Sequence, residues 1–220
     1  MTSTAATAGD VVPDRRADRR AARRAQSTTE ILDAAEKVFG ARGLSDGSLR
    51  EIADESGFST GALYLFFENK QHLIHEMLTR RGLELNALLR EVADSDRAPI
   101  DALHHIVDAT RAFFADRPNF RLLIRHLSGG ATIIGPALAE YADDTNAGFA
   151  ESQSLLASII AKGQAQHEVR AGNPLALAHL YSVLVNEYVL FDDAGHEPSP
   201  ATLTVEQFHA LLDGALRAPH

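Results

Sequence analysis

The segment from Ser48 to Lys70, SLREIADESGFSTGALYLFFENK, decides the fold of the first part of this chain. Ser48 followed three residues later by Glu51 is a capping box, which predicts the start of a helix. Gly57 stands where that helix would end on a left-handed residue, and Ser59 can cap a second helix. Two short helices joined by a tight turn that contains glycine form a helix-turn-helix, whose second helix fits the major groove of DNA.

The apolar residues in and before this segment recur at helical spacing, which indicates a small shared core. Upstream, Ser27 and Glu30 form another capping box, and a stripe of helical period runs from there to Gly43. A unit of about forty residues buries too little surface to be stable alone, so it must rest on a larger body. The predicted inward residues are Ile31, Ala34, Ala35, Val38, Phe39, Leu49, Ile52, Ala53, Leu63 and Phe67.

The stretches ILDAAEKVFGARGL and REIADESGFSTGALYLFFENK together resemble the DNA-binding domain of the TetR family of bacterial transcriptional regulators. The resemblance covers about residues 27 to 80, where the apolar frame, the glycines, Tyr64 and Lys70 fall in register. It implies a homodimeric, sequence-specific regulator that binds near-palindromic double-stranded DNA, most simply a repressor released by a small, largely apolar ligand. A DNA-binding dimer without an effector is the alternative, and a helical enzyme is a more distant one.

The residues expected to touch DNA lie on the surface of the helix-turn-helix. Small hydroxyl residues and N–H groups at a helix N-terminus can bind phosphates or base edges. Phe66 departs from the family pattern, because many members have a phosphate-binding histidine there; either that contact is lost or the arginine-rich N-terminus compensates for it. Carried over from the family, the expected contact residues are Ser48, Leu49, Ser59, Thr60, Gly61, Tyr64, Leu65 and Lys70.

Residues 1–26 contain almost no large apolar side chain, so we expect them to form a disordered, arginine-rich arm. Their arginines recur with a period of four, which leaves three interpretations open: a solvated tail, a helical extension, or a basic arm that contacts DNA phosphates or the minor groove. The predicted organisation is this arm, a helix-turn-helix domain over 27–72, and an effector-binding and dimerisation domain over 73–220. The arginines are Arg15, Arg16, Arg19, Arg20, Arg23 and Arg24.

Composition excludes several classes of protein. The 220 residues contain no cysteine, so a disulfide framework, a thiolate metal site and a thiol nucleophile are all absent. No apolar run reaches the roughly 18 residues of a membrane span, and no secretory signal is recognisable, so we expect a soluble, cytoplasmic protein. The net charge of −9 lies entirely after residue 81, because residues 1–81 hold 12 basic and 12 acidic residues. The acidic body would therefore repel DNA and leave binding to the N-terminal end.

Beyond the helix-turn-helix, every segment has a helical pattern, so the predicted fold is all-α. Helices are expected to begin at Asn69, Pro99, Pro118, about Pro136, Asn173 and Thr204. The helix after Asn173 is apolar nearly all round, which is typical of a helix buried on every side. We therefore expect this helix and the last one to pair with a second copy, with Leu184 and Leu212 in the seam. The alternative is that helices of the same chain cover them.

The body also carries the candidate ligand residues, and no catalytic residue, cofactor or metal is expected. Aromatic side chains at helical spacing are usually core, but polar groups among them are what a small-molecule pocket needs. The ten histidines include His72 with His75 and His104 with His105, yet no cysteine or carboxylate supports them at metal-ligand spacing. The expected ligand-binding residues are His105, Thr110, Phe113, Phe114, His126, Tyr141, Phe149, Tyr181 and Asn186.

Overall fold

A computed structural model describes residues 15–128, 139–191 and 202–218 of the chain. Within these ranges the chain is helical and forms no strand, which confirms the all-α prediction. A short 3₁₀ turn, Ala139–Tyr141, precedes the seventh helix. The helices are α1 Arg15–Asp46, α2 Leu49–Ser56, α3 Thr60–Leu63, α4 Lys70–Ala93, α5 Pro99–Ala115, α6 Pro118–Ser128, α7 Ala142–Ala165, α8 Pro174–Phe191 and α9 Val205–Leu216.

Helices α1 to α3 form the N-terminal head, and local signals in the sequence set their ends. The capping box of Ser48 and Glu51 starts α2, as predicted. Gly57 ends α2 with φ 75° and ψ 15°, a left-handed conformation that favours glycine. Ser59 then caps α3, and its side chain accepts a hydrogen bond from the backbone N–H of Ala62. The head core consists of Ile31, Ala35, Phe39, Ile52, Ala53, Leu63 and Phe67.

Helix α1 begins earlier than expected, because residues 15–26 are helical and not a disordered arm. The predicted residues 1–14 of the arm lie outside the described part of the chain. The physical reason is that alanine and arginine favour helices, and elongation from a packed helix avoids the cost of nucleation. The helix continues to Asp46, with a kink at Gly43, where φ is 79° and ψ is 167°.

Helix α4 leads from the head into the body, where it packs against α5 and α7. The body core lies between α5, α7 and α8 and includes Leu103, Val107, Ile160 and Tyr181, all of which are buried. The expected helix start at about Pro136 lies outside the described residues. No helix among the described residues is long and apolar enough to cross a membrane.

Two contacts fix the head to the body. At Gly40, α1 comes so close to α6 that an added Cβ would lie 2.4 Å from the carbonyl oxygen of Asn119. The second contact is ionic. Glu36 of α1 is buried, and its carboxylate accepts hydrogen bonds from Arg80 at 2.5 Å and from Arg81 at 2.7 and 3.0 Å. The position of the head on the body is therefore set by close packing and by a buried charge.

Candidate functional site

The turn at the end of the short helix α3 presents large side chains to solvent. Leu63 and Phe67 hold this segment in the head core. In contrast, Tyr64 is 56% exposed and Leu65 is 70% exposed. Folding of the head does not account for this exposure, because the core is already filled by the neighbouring residues.

Ser59, Thr60 and Gly61 lie at the start of α3 beside these exposed side chains. Ser59 and Gly61 are exposed, and Thr60 is half-buried. A Cβ added at Gly61 would meet no other heavy atom closer than the Ser59 hydroxyl, 4.0 Å away. The φ of Gly61 is not positive, so neither space nor backbone conformation in this protein requires glycine there. The residues predicted at the second helix therefore share one open surface.

Ser48 and Leu49, at the start of α2, are less open than the residues of α3. The backbone N–H and the hydroxyl of Ser48 both donate to the carboxylate of Glu51, at 3.0 and 2.8 Å. These bonds lower the pKa of Glu51, the hydroxyl bond first. Leu49 is half-buried and packs against the head core. Both residues hold the helix-turn-helix together, and their contact with DNA stays a prediction.

Lys70, the predicted phosphate anchor, is held at the junction of α1 and α2. Its ammonium group donates to the carbonyl of Ser45 at 3.2 Å and lies 5.5 Å from the centroid of the Phe39 ring. Burial lowers the pKa of Lys70, although the nearby carboxylates of Asp46 and Glu51 oppose that shift. An ammonium group has three donors, so one bond to a carbonyl leaves donors for a phosphate.

One contact at this surface was not anticipated from the sequence. Arg24 of α1 donates from Nη2 to the carbonyl of Leu65 at 2.9 Å, and its Cζ lies 5.0 Å from the centroid of the Phe66 ring. Phe66 also contacts Phe58 edge to face, at 6.1 Å between centroids. The periodic arginines and the unusual Phe66 were both visible in the sequence, but nothing local indicated that they meet.

The predicted ligand residues of the body fall into two groups. The buried ones pack against their neighbours: Phe113 and Phe114 lie edge to face at 5.4 Å, and the Tyr181 hydroxyl donates to the carbonyl of Leu103 at 2.6 Å. Thr110 is also buried, whereas His105 and Tyr141 are half-buried. The three that lie exposed to solvent, and so line no enclosed interior within one protomer, are His126, Phe149 and Asn186.

A cavity of about 550 Å³ lies on the outer side of α8 and α9. Leu180, Val183 and Leu184 of α8 are exposed along it, whereas Tyr181 points into the protomer. On α9, Leu212 is only 2% exposed, but its neighbour Leu211 is 45% exposed. The cavity lining is Arg170, Leu177, Leu180, Tyr181, Val183, Leu184, Leu212, Ala215 and Leu216.

Four of the histidines in the described part of the chain lie against other rings. Tyr141 stacks on His75 at 4.3 Å and on His72 at 6.0 Å. His104 stacks on His209 at 4.3 Å and lies 2.9 Å from a carboxylate oxygen of Asp213. No group of three or more histidine and carboxylate side chains among the described residues could hold a metal ion.

Known proteins match the head most clearly. A profile described as bacterial regulatory proteins, tetR family, matches residues 31–77. Over 94 residues the chain is 34% identical to the HTH-type transcriptional repressor KstR2 of Rhodococcus jostii, covering 40% of this chain and 46% of KstR2. The chain thus spans less than half of the length of this curated relative.

Solved structures resemble the whole fold. The fatty acid degradation regulator FadR of Bacillus halodurans matches with a TM-score of 0.69 at 18% identity, covering 86% of this chain and 99% of FadR. SmeT, the repressor of the Stenotrophomonas maltophilia efflux pump SmeDEF, matches in its complex with triclosan with a TM-score of 0.68 at 18% identity, covering 87% and 92% of the two chains. At such identities the likeness shows the fold alone. Residues 31–77, which contain the helix-turn-helix, therefore match the TetR family of bacterial regulatory proteins, and the described chain as a whole shares the all-helical fold of these solved structures.

Proposed function

We propose that this protein is a sequence-specific, DNA-binding regulator of transcription, acting as a homodimer and most simply as a repressor. The observation that carries the proposal is the open surface of α3. Tyr64 and Leu65 are exposed there although they are large, and Gly61 has no structural need to be glycine. Close approach of another backbone explains a glycine, and exposed apolar and hydroxyl groups explain base and phosphate contacts.

Within this surface, each side chain would have a different task. The Tyr64 hydroxyl and the Lys70 ammonium group would donate to phosphates, which positions the head without reading sequence. Leu65 can offer only apolar contact, for example to a thymine methyl group. Thr60, at the first turn of α3, would read a base edge. Ser48 and Leu49 would support α2 as it crosses the DNA backbone.

The homodimer is argued from the outer side of α8 and α9. Leu180, Val183 and Leu184 are exposed along a cavity in whose lining Arg170 is the only charged residue, and Leu211 of α9 is exposed as well. A continuous apolar face on a soluble chain marks an interaction surface. A second copy is the simplest partner, because two heads related by a two-fold axis would read a near-palindromic site with half-sites about 34–36 Å apart or at a multiple of the helical repeat.

Two observations support a small-molecule effector: buried polar atoms in the body, and the similar structure of SmeT, which has been solved in complex with triclosan. Gln153 and Arg121 each keep a buried side-chain atom, Oε1 and Nε respectively, without a hydrogen-bond partner among the described residues. Buried polar atoms of this kind are usually satisfied, so a ligand with a polar group is one way to satisfy them. A small, largely apolar effector would then bias α4, which joins the head to the body. A dimer without an effector remains the alternative.

DNA binding is tested by selecting duplexes from a random-sequence library with the full-length protein and titrating the selected duplex by fluorescence anisotropy. We expect a near-palindromic consensus and nanomolar to micromolar affinity. Tyr64→Ala with Lys70→Ala should abolish tight binding, whereas Arg97→Ala, an exposed change on the body, should not. Selection of no consensus, or unchanged affinity of the double variant, would contradict the proposal.

The oligomeric state and the effector need separate experiments. Light scattering should give a dimer, and Leu180→Glu with Leu211→Glu should give a monomer, while Leu83→Glu, at an exposed leucine of α4, should not. A thermal-shift screen with lipophilic compounds should then find ligands that also weaken DNA binding. If every stabilising ligand leaves DNA affinity unchanged, the alternative without an effector is favoured.

A further inference from the structure

The N-terminal extension, residues 15–26 of α1, carries a concentrated positive charge. It holds six arginines and one aspartate, a net charge of +5, on a chain whose overall charge is −9. Arg19, Arg20 and Arg23 are exposed, and none of them forms an ion pair with another residue in the described part of the chain. Charge of one sign that is concentrated on a short segment of helix indicates a partner of the opposite sign.

The arginines lie on the continuation of the face that α1 buries. Residues four and seven apart share one side of a helix, so Arg20 and Arg24 lie on the same side as Ile31 and Ala35. Ile31 and Ala35 are fully buried against the head. The same face is therefore apolar where the head covers it and cationic in the exposed extension. This change of character indicates that an anionic surface covers the exposed part.

Arg24 connects this face to α3. Its guanidinium group is fixed by the hydrogen bond to the Leu65 carbonyl at 2.9 Å and by the Phe66 ring at 5.0 Å. Guanidinium groups have five N–H donors, and the carbonyl takes one of them, so several stay available. An arginine that is held in place loses less conformational entropy when it binds a phosphate.

The direction of the extension follows from the same contact. Arg24 lies beside the exposed Leu65, at the edge of the surface that includes Tyr64. Each step of four residues advances about 6 Å along a helix, so Arg20 and Arg16 follow at about 6 and 12 Å from Arg24. The extension thus forms a row of cations about 6 Å apart, which corresponds to about every second phosphate of a strand that carries one phosphate per 3.4 Å.

We propose that the N-terminal extension binds the phosphate backbone of double-stranded DNA next to the groove that α3 enters, with Arg24 as its fixed contact and Phe66 as the residue that positions Arg24. Arg20 and Arg16 extend the contact along the same duplex. This inference rests on the proposed function, because it assumes that α3 faces DNA. Phe66 then takes part in binding only indirectly, by holding Arg24 in place, because its apolar ring cannot bind a phosphate.

The test is the salt dependence of DNA affinity, measured by anisotropy with the selected duplex and with a 40-base-pair duplex of mixed sequence. Each lost phosphate contact lowers the slope of log affinity against log salt by about 0.9, so Arg24→Gln should lower it by about 1.8 for a dimer. Arg16→Gln, Arg20→Gln and Arg24→Gln together should lower it further, on both duplexes. Arg97→Gln removes the same charge from the body and is the matched control, whose slope should stay that of the unaltered protein.

The position of Arg24 is tested with two changes of Phe66. Phe66→Leu keeps every charge but removes the ring, and should weaken affinity by about two- to tenfold because the guanidinium group is no longer held. Phe66→Tyr keeps the ring and should bind as the unaltered protein does. Equal affinity of the Leu and Tyr variants would overturn the positioning role of Phe66.

The outcomes separate this inference from the proposed function. If the unaltered protein binds the selected duplex but Arg24→Gln and Arg97→Gln have the same slope, the inference is overturned and the function stands. If the unaltered protein binds neither duplex, even at low salt, both are overturned. Circular dichroism should show an unchanged helix content for each variant. A smaller slope of log affinity against log salt then reports lost phosphate contacts and not unfolding.

Discussion

Removing the charge of Glu36 should loosen the head from the body, because this carboxylate lies buried between two arginines. Glu36 is 5% exposed and accepts hydrogen bonds from Arg80 and Arg81 of α4. The change Glu36→Gln preserves shape but leaves two guanidinium groups facing a neutral amide. Breaking one partner of a buried ion pair costs about 3–5 kcal/mol.

The expected cost lies near the lower limit of that range. Arg80 also contacts Asp33 at 2.7 Å, and Arg81 contacts Glu84 at 2.8 Å, so neither arginine loses every partner. Burial alone would lower the pKa of Arg81, but the hydrogen bonds and charges of Glu36 and Glu84 raise it overall, so Arg81 stays charged. We therefore expect Glu36→Gln to lower the free energy of unfolding by about 3 kcal/mol, which is a large part of the 5–15 kcal/mol typical of a protein.

Urea denaturation followed by circular dichroism, at one fixed protein concentration, measures this loss. Asp33→Asn is the matched control, because it removes a carboxylate from the same arginines at an exposed site, where an ion pair contributes about 0–1 kcal/mol. A cost for Glu36→Gln below about 1 kcal/mol, or no larger than that of Asp33→Asn, would refute the reasoning. That result would mean that burial does not increase the contribution of the Glu36 carboxylate to the free energy of unfolding.

Three further changes test other parts of the structure. Gly40→Ala should destabilise the protein by about 1–3 kcal/mol, measured by urea denaturation, because the added Cβ would lie 2.4 Å from the Asn119 carbonyl of α6. Burial, with a smaller effect of Asp108, raises the pKa of Tyr181 well above its usual range, so its contribution to stability is complete below about pH 10 and is lost as pH rises further. Unfolding free energies between about pH 8 and 11 should therefore fall more steeply for the unaltered protein than for Tyr181→Phe. Tyr64→Phe should weaken binding of selected and mixed-sequence duplexes equally, by about 1 kcal/mol in an anisotropy titration, whereas a larger loss on one of them would mean that the hydroxyl reads a base.

The features that the sequence predicted well are those that depend on a few neighbouring residues. The capping box of Ser48 and Glu51, the left-handed Gly57 and the capping box of Thr204 and Gln207 all form as expected. Each of these signals lies within four residues of the helix end that it sets, so no knowledge of distant contacts is needed. Periodic apolar residues likewise predicted the head core, because the helical repeat alone places them on one face.

The ligand pocket was harder to predict, because an aromatic stripe has the same spacing in a core and around a cavity. Phe113, Phe114 and Phe120 pack on one another with centroids 5.4–6.3 Å apart, as core residues do. The contact of Arg24 with Phe66 spans more than forty positions, and only the folded head brings the two together. The expected disorder up to residue 26 was wrong for a related reason, since an exposed helix that extends a packed one leaves no apolar signal.

Helix α8 shows which features of burial the sequence pattern can predict and which it cannot. Its all-round apolar pattern predicted a helix buried on every side, either by a second copy or by helices of the same chain. The structure assigns Tyr181 and Val185 to the protomer's own core and leaves Leu180 and Leu184 outside. Leu212, which we expected in the seam, is buried within the protomer, because α9 turns Leu211 outward instead. The sequence showed that the helix is apolar on every side, but which side the core of the same chain covers depends on the packing of the whole body. The pairing of the other side with a second copy stays a prediction.

The charge distribution has opposite consequences for the two associations that we propose. Residues 82–220 hold 9 basic and 18 acidic residues, so two bodies that meet through α8 and α9 repel each other over most of their surface. Apolar burial must then supply the attraction, and salt strengthens such a dimer by screening the repulsion. DNA binding by the heads depends on salt in the opposite way. Their cations displace counterions from DNA, so the affinity for DNA falls as the salt concentration rises. An increase in salt should thus favour the dimer while it releases that dimer from DNA, and salt jumps can separate the two equilibria in one protein.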